Sequence, residues 1–163
     1  MLPLRMKDPH NTIQKLLETL VAEDRERGLQ FAAYLDGKLV VDAWSGVADP
    51  ATGRKVDGDT LFPVFSTTKS ITATIINILV ERGKITYDTP VADVWPEFAA
   101  NGKDRILLRH ILSHTSGLHA LPVGLTQADI LDWNRICDVL AHEKPSSAPG
   151  ELQTYHAVTY GWL

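Results

Sequence analysis

The chain has 163 residues, 44% of them apolar and 22% charged, which fits one soluble globular domain and excludes collagen-like, low-complexity and wholly disordered chains. Sixteen Lys and Arg against 20 Asp and Glu leave a net charge of −4, with the basic residues scattered, so neither a nucleic-acid backbone nor an anionic membrane is the expected partner. No apolar run reaches the roughly 20 residues that cross a bilayer, and Met1 to His10 hold no hydrophobic signal core, so a cytoplasmic location is expected. Cys137 stands alone, which rules out an intrachain disulfide framework and a Cys-rich metal site, and it reads as a small buried hydrophobe.

In chain order, Asp8 and Pro9 form a helix start, and Ile13, Leu16, Leu17, Leu20 and Val21 recur at helical spacing towards Gly28 as the stop. Leu29 to Leu35 and Lys38 to Trp44 alternate as strands, and Asp36-Gly37 between them suits a two-residue hairpin turn. Ala48 to Asp59, with Asp, Pro, Gly and Lys and no periodicity, reads as a loop. Helix returns near Ser66 and runs to Glu81 or Arg82, apolar nearly all round, which predicts a buried helix ended by Gly83. Pro90 to Val94, Leu107 to Ser113 and Thr126 to His142 read as shorter helices. Two strands followed by a helical run give an α/β or α+β layout, with too few strands for a self-sufficient sheet.

Ser66-Thr67-Thr68-Lys69 lies where a loop enters the apolar helix. A serine hydroxyl needs a base within hydrogen-bond reach, and residues three apart on a helix share a face, so Lys69 can bring its amine to Ser66. Burial and the positive end of a helix both disfavour the charged form of a lysine, and the Ser66 backbone N–H at that helix start can serve an oxyanion. The local pattern is equally met by Ser66 as an N-cap and Lys69 as a solvated first-turn residue. His110 and His114 are four apart, but no third metal ligand accompanies them, so a structural hydrogen bond is the expected role for His114.

Phe65-Ser66-Thr67-Thr68-Lys69-Ser70, preceded by Asp59-Thr60-Leu61-Phe62, resembles the nucleophile segment of the serine β-lactamase-like family, which includes class C β-lactamases, penicillin-binding carboxypeptidases and related carboxylesterases. Leu107 to Leu118 looks like the family's LLSHTSGL signature, and Tyr155-His156-Ala157 after Pro149-Gly150 looks like its Tyr-x-Asn motif. The three matches fall in the family's order from the middle of the chain to its end, and because the first helix and the hairpin also match the family's opening, the resemblance covers nearly the whole chain. The resemblance implies a β-lactamase/transpeptidase-like α/β (α+β) fold as one domain over residues 1–163. Its first part, 1–62, would be the N-terminal helix and hairpin; 63–163 would hold the nucleophile helix and most of the helical region. It also implies Ser66 as the acylated nucleophile, Lys69 as its partner, and Tyr155 as general base or proton donor, with His156 and Ala157 bordering the substrate.

Ala157 departs from the family pattern, because an Asn there recognises a substrate amide and Ala offers neither donor nor acceptor in its side chain. The resemblance is therefore closer to the carboxylesterases. The family's third motif, a Lys or His followed by Thr or Gly and then Gly on a strand, has no counterpart before Leu163, so the resemblance is to an N-terminal part, incomplete, with the C-terminal strands absent. Three activities follow as expectations: an ester-cleaving serine hydrolase impaired by truncation, a non-catalytic remnant or interaction module, and a β-lactamase or penicillin-binding activity. The substrate is expected to be a small ester or amide. No metal or cofactor is implied, and self-association or a partner is expected to cover the unfinished sheet.

Overall fold

The computed structural model describes residues 8–163, which form two compact units, one running to Pro63 and the other from Val64 to Leu163. Met1 to Lys7, most of the stretch expected to lack a signal core, lie outside the described residues. Among the described residues no helix is long and apolar enough to cross a membrane.

In the first unit the Asp8 carboxylate accepts the Asn11 N–H at 3.1 Å and Pro9 occupies the first turn, so α1 (Pro9–Ala22) begins where its cap predicts. It ends well before Gly28. Glu23-Asp24-Arg25-Glu26 brings no apolar residue to bury; Asp24 turns left-handed at φ +56°, and the Arg25 and Glu26 N–H groups both donate to the Leu20 carbonyl. Gly28 instead opens β1 (Gly28–Leu35), which pairs antiparallel with β2 (Lys38–Asp49). Asp36 at φ +50° and Gly37 at φ +74° make the predicted tight turn. β2 continues past Trp44 and pairs with β3 (Arg54–Lys55), so the sheet has three strands in the order β1-β2-β3. The expectation of a plain loop over 48–59 is corrected here, because a two-residue strand is too short to leave an alternating pattern. Leu17 of α1 packs on Val41 and Ala43 of β2, flanked by Ile13, Leu29 and Ala33. The Gln14 amide brackets the Trp44 backbone, donating to its carbonyl at 3.0 Å and accepting its N–H at 3.3 Å.

The second unit begins with a 3₁₀ turn, Phe65–Thr67, that leads into α2 (Thr68–Glu81). The expectation that this helix is buried is corrected: none of its residues is buried, and Ile71 and Ile75 are 58% and 54% exposed. Its apolar residues run nearly all round, but the unit's core forms at one side of it, around Val91, Phe98, Ile106, Ile111, Leu118 and Tyr160. α2 approaches that core through Thr72 and Ile76, which line a small apolar cleft with Ile111 and Tyr160. Downstream come α3 (Val91–Val94), α4 (Leu108–Leu112), α5 (Gln127–Leu131) and α6 (Trp133–His142). The single helix predicted over 126–142 is two, because Asp132 takes an extended conformation and its carboxylate accepts the Arg135 N–H, capping α6.

Between α3 and α4, Pro96–Arg105 winds as 3₁₀ turns broken by positive φ at Asn101 and Gly102. That kink delivers Lys103 to the end of α6. The Lys103 side chain is fully buried, its ammonium donates to the carbonyls of Ala100 at 2.8 Å, Ala141 at 2.9 Å and Glu143 at 2.5 Å, and it lies 5.3 Å from the Phe98 ring centroid. All three ammonium protons are thus used, two of them on carbonyls that the end of a helix leaves without intrahelical partners. Burial pulls the Lys103 pKa down, and the Glu143 carboxylate opposes that pull. Replacing Lys103 by Met leaves these carbonyls buried and unpaired, and is expected to cost about 3 kcal/mol of stability. Lys144→Met, at an exposed position, should change stability by less than about 0.5 kcal/mol. Urea denaturation of the two variants checks both values.

Candidate active site

Ser66 and Lys69 stand at the entrance to α2. The 3₁₀ turn places Ser66 one turn ahead of Lys69, and the Lys69 ammonium donates to Ser66 Oγ at 3.3 Å. The residue before the serine, Phe65, has φ +43°, a conformation that bulky side chains rarely adopt, and its ring is exposed. The same ammonium donates to the Ala157 carbonyl at 2.9 Å and lies 5.1 Å from the ring centroid of Tyr155 and 5.7 Å from that of Tyr160. The Ser66 hydroxyl chiefly holds the Tyr155 phenol below its ordinary pKa; desolvation opposes it, and the Lys69 ammonium adds smaller lowering effects. The structure therefore brings Ser66, Lys69 and Tyr155 together around one cation, and Ala157 joins them through its backbone rather than its methyl group.

Tyr155 is half exposed, and it borders an open cavity of about 240 Å³ shared with His114 and Gln153. Its backbone is held by the turn at residues 113–118. The Gln153 amide donates to the Ser113 carbonyl at 3.1 Å, the Thr154 N–H to the His114 carbonyl at 2.9 Å, and the His156 N–H to His114 Nδ1 at 3.1 Å. Gly117 lets this turn pass close to residues 145–147: a Cβ there would sit 2.6 Å from the Ser147 carbonyl oxygen. His156, expected at the substrate, is instead fully buried. Its Nε2 is 2.6 Å from Ser116 Oγ and its Nδ1 2.6 Å from the Thr154 carbonyl, so neither ring nitrogen is free for a ligand. The chain turns the side chain after Tyr155 inward, so His156 faces Ser116 rather than the open cavity.

His110 and His114, four residues apart, each take a backbone N–H on Nδ1, from Leu107 at 3.1 Å in the first case and His156 in the second. Burial pushes the Cys137 thiol above its usual pKa and keeps it protonated at neutral pH, which fits a packing residue. Sequence reasoning overlooked Ser116, His114 as a support of Tyr155, and Tyr160 under the ammonium. Ser116 sits inside the quoted signature, but nothing local marks a serine for burial against a histidine forty residues away.

The family model described as Beta-lactamase matches residues 13–163. The chain belongs to the beta-lactamase family. Esterase/beta-lactamase LipL of Mycobacterium tuberculosis (strain ATCC 25618 / H37Rv) is 45% identical over 136 residues, 83% of this chain but 31% of LipL. Among solved structures, a family VIII carboxylesterase superposes with a TM-score of 0.85 at 36% identity, covering 94% of this chain and 42% of that one. A penicillin-binding protein homolog from Caulobacter crescentus gives 0.86 at 39%, covering 94% and 41%. The fold is that of the β-lactamase/transpeptidase-like proteins, and the chain spans about a third to two fifths of the length of these relatives.

His110, His114 and His156 all titrate below the ordinary imidazole value, in each case chiefly because burial disfavours the charged ring. Folded, they stay neutral while the unfolded chain takes up protons, so the unfolded state binds more protons as the pH falls through the ordinary imidazole range. The thermal midpoint of this beta-lactamase-family chain is expected to fall as the pH drops through the ordinary imidazole range, and to fall further through the carboxylate range, where Asp8, Asp49, Asp57 and Asp129 have lowered pKa values. In His156→Gln the slope should be shallower, which melting curves across the pH series would register.

Proposed function

We propose that the chain carries the acyl-transfer machinery of a serine hydrolase acting on carboxylic esters through an acyl-enzyme intermediate. The observation that carries this reading is the Lys69 ammonium shared between the Ser66 hydroxyl and the Ala157 carbonyl, beside a Tyr155 phenol with a lowered pKa. As placed, Lys69 donates to Ser66, so the group assigned to take the serine proton is Tyr155 in its deprotonated form, which the Ser66 hydroxyl and, less strongly, Lys69 favour. Ser66 Oγ attacks the ester carbonyl carbon and its proton passes to Tyr155. The C–O bond to the alcohol breaks and the alcohol leaves with the proton returned from Tyr155. Water then attacks the acyl-Ser66 ester by the same path in reverse. The Ser66 N–H, in the turn that opens α2, serves the oxyanion. Each of these steps uses groups of the chain and water, without a cofactor.

Esters are favoured over β-lactams because Ala157 presents no side-chain amide to the substrate. The relatives carry both kinds of name, esterase/beta-lactamase and carboxylesterase beside penicillin-binding protein homolog, so the preference rests on Ala157. A fluorophosphonate probe is expected to label the chain once, at Ser66. Labelling should vanish in Ser66→Ala and slow about a hundredfold in Tyr155→Phe. Turnover of p-nitrophenyl butyrate should exceed that of nitrocefin. A folded chain that the probe leaves untouched would defeat the hydrolase reading, and faster nitrocefin turnover the ester preference.

The exposed Ile71, Ile75 and Ile78 on α2, and in the other unit the edge strand β1 with exposed Phe31 and Tyr34, support a further part of the proposal: this chain self-associates through its uncovered apolar faces. Sedimentation velocity should show a species larger than 18.0 kDa that Ile71→Glu with Ile75→Glu dissociates. A monomer at micromolar concentration would refute self-association and leave a different polypeptide as the cover.

A further inference from the structure

Five non-glycine residues among those described have positive φ: Asp24, Asp36, Phe65, Asn101 and His114. Three are Asp or Asn, which tolerate the left-handed region because their short side chains bond locally. Phe65 does not share that tolerance, whereas histidine, like Asn and Asp, is enriched there; Phe65 and His114 are the two that flank the site, one beside Ser66 and one against Tyr155. The left-handed backbone at His114, φ +61°, turns both its carbonyl and its ring towards residues 154–156.

The ring's uses are visible. His114 Nδ1 accepts the His156 N–H at 3.1 Å, and the His114 carbonyl accepts the Thr154 N–H at 2.9 Å, so one residue grips the backbone on both sides of Tyr155. The same ring packs against Tyr155 at 4.7 Å between centroids, His156 at 5.3 Å and Tyr160 at 5.1 Å. Accepting on Nδ1 requires a ring without a proton there, and burial together with the nearby Lys69 cation favours the neutral form. The Tyr155 side chain is half exposed, so core packing does not fix it. The grip on residues 154 and 156 sets the direction in which the phenol leaves the backbone.

We propose that His114 is a positioning residue for Tyr155, its left-handed backbone and its Nδ1 acceptor together aiming the phenol at Ser66 and Lys69. The inference deepens the acyl-transfer reading and rests on it. Two substitutions separate its parts, since both tolerate positive φ: His114→Gly removes the acceptor, and His114→Asn supplies a side-chain oxygen in reach of the same N–H.

The test uses the full chain with ¹³C-labelled tyrosine rings, Tyr155 being assigned by Tyr155→Phe. It reads three quantities: the Tyr155 titration by NMR, the rate of fluorophosphonate labelling at Ser66 by intact mass, and the thermal midpoint. In His114→Gly, Tyr155 should titrate closer to an ordinary phenol and labelling should slow by roughly ten- to a hundredfold, the scale expected for a misplaced group. His114→Asn should restore both to within about threefold of the parent rate. A folded His114→Gly with an unchanged Tyr155 titration and labelling rate overturns the proposal. So does a His114→Asn variant with the parent's thermal midpoint that regains neither. If His114→Gly does not fold, His114→Asn decides alone: retention of both signals supports the proposal, and their loss in folded protein refutes it. Should the parent chain not be labelled at all, the acyl-transfer reading fails, and the Tyr155 titration across the two variants still decides the positioning role.

Discussion

One ammonium group joins the two ends of the site. Lys69 reaches from the first turn of α2 to the Ser66 hydroxyl and to the Ala157 carbonyl, a partner 88 residues away in sequence. Through these bonds a helix start and an irregular C-terminal segment become one chemical unit. Because the distal acceptor is a backbone carbonyl, the bond does not depend on which side chain occupies position 157. Alanine there removes the amide that a β-lactamase-like pattern would carry and leaves the cation's anchor in place. The side chain at position 157 is thus free to vary without disturbing the Lys69 bonds, and under the proposed function this separates substrate preference from the acylation step.

The second constraint is polar satisfaction away from the solvent. Ser116 and His156 are fully buried, and so is Lys103, yet each has its hydrogen-bonding groups engaged by protein atoms. Burial without partners costs about 1–3 kcal/mol for a neutral group and more for a charge, so these residues bind their segments to one arrangement rather than adding net stability. Lys103 pins the end of α6 to the kinked 96–105 segment, while the Ser116–His156 pair pins the segment holding Tyr155 to the turn at 113–118. Rigidity at Tyr155 comes from its buried neighbour, because its own ring faces the open cavity.

Much of this was legible in the sequence wherever the signal was local. The Asp8-Pro9 start, the Asp36-Gly37 hairpin, the Gly83 stop and the Ser66–Lys69 spacing each rest on atoms within a few residues, and each is present in the structure. Readings that needed a neighbour elsewhere were not secured by pattern. α2 is apolar nearly all round, as a buried helix is, but exposure depends on what packs around it. Lys103 looks like any surface lysine until Asn101 and Gly102 turn it inward onto carbonyls near residue 141. His156 looked available because it adjoins Tyr155, whereas the chain turns its side chain inward to Ser116. The positive φ at Phe65 leaves no trace in residue type, since a bulky aromatic is not a residue that the left-handed region selects.

Geometry and environment act separately on a reactive group, and the described residues supply them to the proposed site unequally. Ser66 and Tyr155 are both solvent-exposed here, so the charges around Lys69 act largely through water. Two unit charges 4 Å apart interact by about 1 kcal/mol in water and about 4 kcal/mol at the effective dielectric of a protein surface. The approximately 3 kcal/mol between these limits is close to a hundredfold in rate if it is felt at the transition state. Residue placement can therefore activate Ser66 towards an electrophile that is reactive in itself, while an ordinary ester demands the larger field of a site that excludes water. The exposed isoleucines of α2 share a helix with Lys69 but not a face: at 3.6 residues per turn Ile71, Ile75 and Ile78 fall roughly half a turn round from it, while Thr72 and Ile76 lie on its side. Covering the isoleucines would bury apolar surface without drying the surroundings of Lys69, so a stronger field at Ser66 requires cover on the side where Lys69 meets Tyr155 and Tyr160.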